Sequence, residues 1–195
     1  MTNRLEKLEL HRVRLPLFRP YKLSYRTFEE FEPIIVIAGT AGGRRAFGEG
    51  HISPGSSKET REGGWAFVRE WGGKALGQDL VAARDMISGA ARQSPVAASA
   101  IVTAIEALGS HALLARREPL HVPLLTPVNA TEPNAIAEEV EAHVSAGYRT
   151  LKVKVGLDVT TDLERVRHIQ QAAAGRVVLR LDANRGFDRE QGMAF

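Results

Sequence analysis

The sequence has no cysteine. Disulfides, iron–sulfur clusters and thiolate zinc sites are therefore excluded, and a reducing, cytoplasmic setting is expected. Aromatic residues are few, at 6%. Nowhere do about 18 uncharged apolar residues run together, the length a membrane-crossing helix requires. The opening residues, Met1 to Lys7, lack the apolar stretch of a secretory leader, so neither export nor a membrane partner is expected. Charge of one sign is also missing, because 26 Lys and Arg are interspersed with 23 Asp and Glu, for a net charge of +3. Without a basic stripe interleaved with aromatics, nucleic acid is not an expected partner. Neither Gly-x-x-x-x-Gly-Lys-Ser/Thr nor Gly-x-Gly-x-x-Gly occurs. The cluster Gly39-Thr40-Ala41-Gly42-Gly43 feeds no helix and reads as a hairpin loop, not a phosphate cradle.

What is present is an ordinary globular composition, 44% hydrophobic and 25% charged, sufficient for one or two cores. Leu8 to Val13 alternates weakly, and Pro33 to Ala38 and Arg45 to Gly48 read as strands on either side of the glycine loop. Helical signals follow. Ser56-x-x-Glu59 predicts a capping box opening a helix that runs to about Trp71 and stops at Gly72-Gly73. Asp79 is expected to cap a second helix, and Ser94-Pro95 a third, on which Ala97, Ile101, Ala104, Leu108 and Ala112 form one stripe of small and apolar residues. Trp65, Val68 and Trp71 share a face and read as core.

Three prolines between Glu118 and Pro127 mark a crossing, which places a domain boundary near residue 123. Residues 1–123 are expected as a small α+β domain. From 124 to 195 the pattern becomes strand Leu124 to Ala130, helix Pro133 to Ala146, strand Thr150 to Val155, helix Thr160 to Ala174 and strand Val177 to Asp182. Such alternation predicts parallel strands with crossover helices, the opening of a barrel or of a doubly wound sheet. Asp188 to Phe195 begins another helix. Three strands cannot close a (β/α) barrel, which takes roughly 250 residues, so the chain reads as a piece of a longer protein.

The most informative run is Leu151-Lys152-Val153-Lys154-Val155. On a strand, Lys152 and Lys154 point one way and their apolar neighbours the other. Two ammonium groups on the inner face of a parallel sheet carry a desolvation cost that needs a reason. Asp182, at the end of the next strand in Leu179-Arg180-Leu181-Asp182-Ala183-Asn184, can supply it. The plainer alternative is a solvated edge on which Arg180 pairs with Asp182.

Lys-x-Lys on one strand, Asp-Ala-Asn at the end of the next, and a Gly48-Glu49-Gly50 segment upstream resemble the enolase superfamily, in particular the muconate-lactonizing-like branch of the mandelate racemase/muconate lactonizing enzymes. The resemblance runs the length of the chain and implies an α+β N-terminal cap domain followed by the start of a (β/α)7β TIM-like barrel. It also implies a magnesium ion held by three carboxylates on successive strands, and a base that removes the proton α to a substrate carboxylate to give an enediolate. By motif position Asp182 would be the first metal ligand and Lys154 the acid/base. Lys152 would be its neighbour, lowering its pKa and helping to bind the carboxylate, and Asn184 a nearby polar partner. Tyr21, Ser24, Arg26, Glu49 and His51 fall where the family's cap loops select substrate, though each also fits ordinary packing. The expected partner is a small-molecule carboxylate and the expected assembly a homo-oligomer. Racemisation, epimerisation, cycloisomerisation and dehydration all use this constellation. The other ligands and the opposite-face lysine belong to later strands, so the chain alone is expected to be inactive. Two other readings stay open: a catalytically silent fragment or assembly module, and an unrelated α/β-barrel enzyme.

Overall fold

A computed structural model describes residues 3–22, 26–114 and 118–195. The chain divides into two compact units, Met1–Glu118 and Pro119–Phe195. The division falls at the first proline of the expected crossing.

The first unit contains the strands β1 (Lys7–Arg12), β2 (Leu15–Lys22), β3 (Thr27–Phe31), β4 (Ile34–Gly39) and β5 (Arg45–Gly50), then the helices α1 (Arg61–Ala75), α2 (Leu80–Ala90) and α3 (Pro95–Leu108). An antiparallel sheet has the order β1-β4-β5, and β2 pairs with β3 as a separate hairpin. Alternation on β4 buries Ile34, Val36 and Ala38, and β5 contributes Ala46, Gly48 and Gly50 to the core side. Their cover is α3, whose stripe Ala97, Ile101, Ala104 and Leu108 is buried as the spacing predicts. Ala112 lies past the end of that helix and is exposed. Small residues are required at this contact: a Cβ on Gly48 would meet the Ala100 carbonyl, and one on Gly50 would lie 2.6 Å from the Val96 carbonyl. Gly48-Glu49-Gly50 is thus first a packing device. Ile101 and Ile105, at 0% and 1% exposure, each stabilise the unit by about 1.5–3 kcal/mol of apolar burial.

Two local expectations are corrected. The Ser56/Glu59 capping box does not form, because Thr60 is the N-cap of α1 and its hydroxyl accepts from the Gly63 amide at 3.0 Å. Glu59 is engaged elsewhere: its carboxylate accepts from the Val96 amide at 3.0 Å and from the Ser94 hydroxyl at 2.6 Å. A carboxylate at the N-terminus of α3 satisfies an orphan amide and opposes the positive end of the helix, so it replaces the expected Ser94 cap. Gly72 and Gly73 lie inside α1 rather than ending it. A Cβ at Gly72 would approach the Leu8 side chain to 2.6 Å, so glycine there lets helix and strand meet. Asp79 caps α2 as expected, accepting from the Val81 amide at 2.9 Å.

The second unit runs β6 (Thr126–Val128), α4 (Pro133–Ser145), β7 (Thr150–Lys154), α5 (Val159–Ala173), β8 (Val178–Asp182) and α6 (Arg189–Ala194). All three strands are parallel in the order β6-β7-β8. Asp158 caps α5, Gly147 at φ +92° ends the turn after α4, and a capping box of Asp188 and Gln191 opens α6. One core joins Val128, Leu151 and Val153 from the strands to Ile136 and Val140 of α4 and to Val166 and Ile169 of α5. Both helices therefore cover the same face of the sheet. Sequential parallel strands with both helices on one face are what the opening of a (β/α) barrel requires, and one half of a doubly wound sheet has the same arrangement.

Candidate active site

Strand alternation puts Leu151 and Val153 at 0% exposure against the helices, and turns Lys152 and Lys154 to the uncovered face. The parallel register sets Lys154 beside Asp182 and Lys152 beside Arg180. The Asp182 Oδ2 atom accepts from the Nζ of both lysines, at 2.7 Å each. Its Oδ1 accepts from the Asn184 amide at 3.1 Å. The three side chains are about a quarter exposed, at 28%, 27% and 26%. Hydrogen bonds from Lys152 and then Lys154 hold the Asp182 carboxyl well below the usual carboxylate range, so it is an anion at any ordinary pH. The alternative of Arg180 as its partner is not the pairing that forms. Asn184 partners Asp182 through its backbone, not its side chain, and it and Arg185 adopt left-handed φ of +46° and +62°. Two consecutive non-glycine residues in that region mark a turn with a local energetic cost, of the kind found beside functional groups.

The loops carrying these groups are gripped from several sides. The Val155 amide donates to the Asp182 carbonyl at 3.1 Å. At Gly156 (φ +101°) a Cβ would be 2.5 Å from the Ala183 carbonyl, so the loops after β7 and β8 touch backbone to backbone. Sequence reasoning missed three anchoring residues. Asp162 of α5, 5% exposed, accepts from the Gly156 and Leu157 amides at 2.7 and 3.0 Å. Glu139 of α4 accepts from the Asn129 and Ala130 amides at 2.9 and 2.8 Å. Arg165 of α5 donates to the carbonyls of Ala130, Lys154 and Val128 at 2.9, 3.0 and 2.7 Å. A signal existed for Asp162, which shares a helical stripe with Val166, Ile169 and Ala173: a charge at a core position demands a partner.

Three of the first unit's candidates, Tyr21, Arg26 and His51, border one aromatic pair, Phe28 and Phe31. Tyr21 on β2 makes an edge contact with Phe31 at 6.0 Å, and Arg26 lies over the Phe28 ring at 5.2 Å. Ser24 lies outside the described residues. Glu49 is exposed on β5. The His51 ring packs 4.5 Å from Phe31 and 6.2 Å from Phe28, and both its nitrogens are buried without a hydrogen-bond partner among the described residues. Burial first, and the Arg61 guanidinium second, lower its pKa. Among the described residues, no three His, Asp or Glu side chains gather closely enough to hold a metal ion. No helix among the described residues is long and apolar enough to cross a membrane.

Residues 135–195, from α4 onward, match the family model for the enolase C-terminal domain-like fold. The L-Lys-D/L-Arg epimerase of Methylococcus capsulatus is 28% identical over 199 residues, covering 96% of this chain and 55% of that protein. The crystal structure of a dipeptide epimerase from the same organism, complexed with Mg and the dipeptide L-Arg-D-Lys, superposes with a TM-score of 0.80 at 27% identity, covering 97% of this chain and 56% of the other. A mandelate racemase/muconate lactonizing protein from Herpetosiphon aurantiacus shares the fold, with a TM-score of 0.84 at 24% identity over 100% of this chain and 57% of its own length. The chain spans little more than half the length of the relatives it matches. The family match over residues 135–195 and these likenesses support the resemblance of the chain to the enolase superfamily, of the mandelate racemase/muconate lactonizing type.

Proposed function

We propose that the full-length protein of which this chain forms part removes the proton α to the carboxyl or carbonyl group of a small substrate and returns it on the opposite face, as an epimerase or racemase. The observation that carries this reading is the convergence of Lys152 and Lys154 on one oxygen of Asp182 at the carboxyl ends of parallel strands. Stability does not ask for such a cluster, because apolar residues would fill that face at lower desolvation cost. In this reading Lys154 removes or delivers the proton on one face, and a second acid/base outside these residues does so on the other. Lys152, one ladder step deeper, pairs with the substrate carboxylate. Asn184 keeps Asp182 oriented through its amide, and Tyr21, Ser24, Arg26, Glu49 and His51 are the candidates for selecting substrate.

The relatives acting on L-Lys-D/L-Arg and binding L-Arg-D-Lys make a dipeptide the first substrate class to test. Asp182 fits magnesium as a hard oxygen donor, and one carboxylate alone holds that ion poorly, so the remaining ligands come from outside these residues. When bound, the ion would polarise the substrate's carboxyl group and make the neighbouring carbon more acidic. Asp182 would hold the ion, and Lys152 and Lys154, which share its Oδ2, would then be less tied to it and available to the substrate.

The test is deuterium incorporation at the α-carbon of dipeptides in heavy water, followed by NMR on the full-length protein. Lys154→Ala is expected to lower exchange of the epimer whose α-proton faces Lys154 by about 10²–10⁴-fold, the usual contribution of a positioned acid or base. Exchange at the unaltered rate in that variant would overturn the assignment.

A further inference from the structure

We infer that Arg165 is a positioning residue for Lys154: its guanidinium fixes the Lys154–Val155 peptide, and through it the line along which Lys154 reaches the reacting carbon. The peptide is held at both of its polar groups. Its carbonyl accepts from Arg165 Nη1 at 3.0 Å, and its N–H donates to the Asp182 carbonyl at 3.1 Å. Lys154 and Asp182 are thus joined twice, once through side chains and once through backbone, and Arg165 closes the outer end of the backbone link. A charged donor on a carbonyl polarises the whole peptide and strengthens the bond its N–H makes on the other side.

The same guanidinium donates to Val128 at 2.7 Å and Ala130 at 2.9 Å, so the ends of β6 and β7 are locked to one rigid group on α5. One helical turn earlier, Asp162 grips Gly156 and Leu157 just past the lysine strand. Three carbonyls in different directions call for a planar fork; a lysine ammonium at the end of a flexible stem does not reproduce it. Residues that hold a reacting group within a fraction of an ångström are expected to influence rate without touching substrate.

This inference rests on the α-proton chemistry proposed above, and its test separates the two. In the full-length protein, Arg165→Met and Arg165→Lys are compared with Ile169→Val, a core change in the same helix. Hydrogen exchange of the Val155 amide needs no substrate: both Arg165 variants are expected to lose roughly tenfold in protection there, the scale of one hydrogen bond to a charged group. Leu151 and Val153 should change little. Unchanged Val155 protection would overturn the positioning role whatever the activity. Deuterium exchange from the two substrate epimers is the second readout. The epimer whose α-proton faces Lys154 should slow about tenfold more than the other, whereas a merely structural loss, as in Ile169→Val, slows both alike. Equal slowing of both epimers in the Arg165 variants would also overturn it. Absence of exchange in the unaltered protein would refute the chemistry and leave the Val155 measurement to decide whether Arg165 fixes the peptide.

Discussion

In the first unit, β4 and β5 turn Ile34, Val36, Ala46 and two glycines toward α3, and the contact closes to backbone distance without a charge in it. In the second, β7 gives Leu151 and Val153 to α4 and α5 in the same way, but its other face holds two lysines and is closed by a single carboxylate. Both strands obey the same alternation. The difference lies in what the second face meets, and it shows that burial of apolar residues accounts for a sheet's attachment to its helices without accounting for charged groups gathered on the opposite side.

The sharpest way to break the apolar half of this comparison is Gly48→Val. The added Cβ would strike the Ala100 carbonyl and come within 2.8 Å of the Ala104 nitrogen, both of them backbone atoms of α3. Backbone cannot swing aside as a side chain can, so a cost at or above the upper end of about 1–3 kcal/mol for overpacking is expected. Chemical denaturation should show the loss, and hydrogen exchange should localise it to α3 and β5. A variant as stable as the natural protein would mean that helix and strand separate easily, contrary to their observed packing.

The charged half predicts a smaller, two-step effect. Asp182→Leu alone leaves two ammonium groups on one face without their shared counter-ion. At about a quarter exposure this should cost about 1–2 kcal/mol, less than breaking a fully buried pair. Adding Lys152→Met and Lys154→Met should bring stability back to within about 1 kcal/mol of the starting protein, because the charges and the cost of desolvating them leave together. Urea unfolding of the single and triple variants makes the comparison. A triple variant far less stable than the single one would mean that the cluster serves stability, and the functional reading would lose its main support.

The sequence was most legible where one physical signal acted alone. The strands β7 and β8 and the helix α5 fall within a residue of their expected limits, because alternating apolar residues between capped amphipathic helices leave little choice. The lysine–aspartate convergence followed from the same alternation. The β2–β3 hairpin was illegible: Pro16, Arg19 and Pro20 interrupt the alternation of β2, and its pairing shifts register between Pro16 and Tyr21. Glu59 was misplaced because a capping box is a local rule, whereas its carboxylate found an orphan amide at the start of α3, more than 30 residues away. Arg165 and Glu139 were missed for a related reason. Each reaches from a helix to backbone atoms at strand ends, and backbone atoms leave no mark in a sequence.

The smallest expected effect concerns His51, where the first unit departs from its own apolar rule. Its ring lies among Phe28 and Phe31 with both nitrogens buried, so protonation inside the fold is penalised by lost hydration and by the Arg61 charge, with Glu49 and Glu32 opposing only in part. The folded-state pKa therefore lies below the unfolded value of about 6.5. For a histidine shifted in that direction the contribution to stability is fully present above the unfolded pKa, and it is lost as pH falls below it, because the unfolded chain takes up a proton that the folded chain resists. Thermal unfolding midpoints should thus fall between pH 7.5 and 5.5 by more in the natural sequence than in His51→Phe, whose ring suits the same aromatic neighbours without a titrating group. Identical pH slopes for the two would show that the imidazole meets solvent freely, and that the aromatic pocket around it is looser than the 4.5 Å contact with Phe31 indicates.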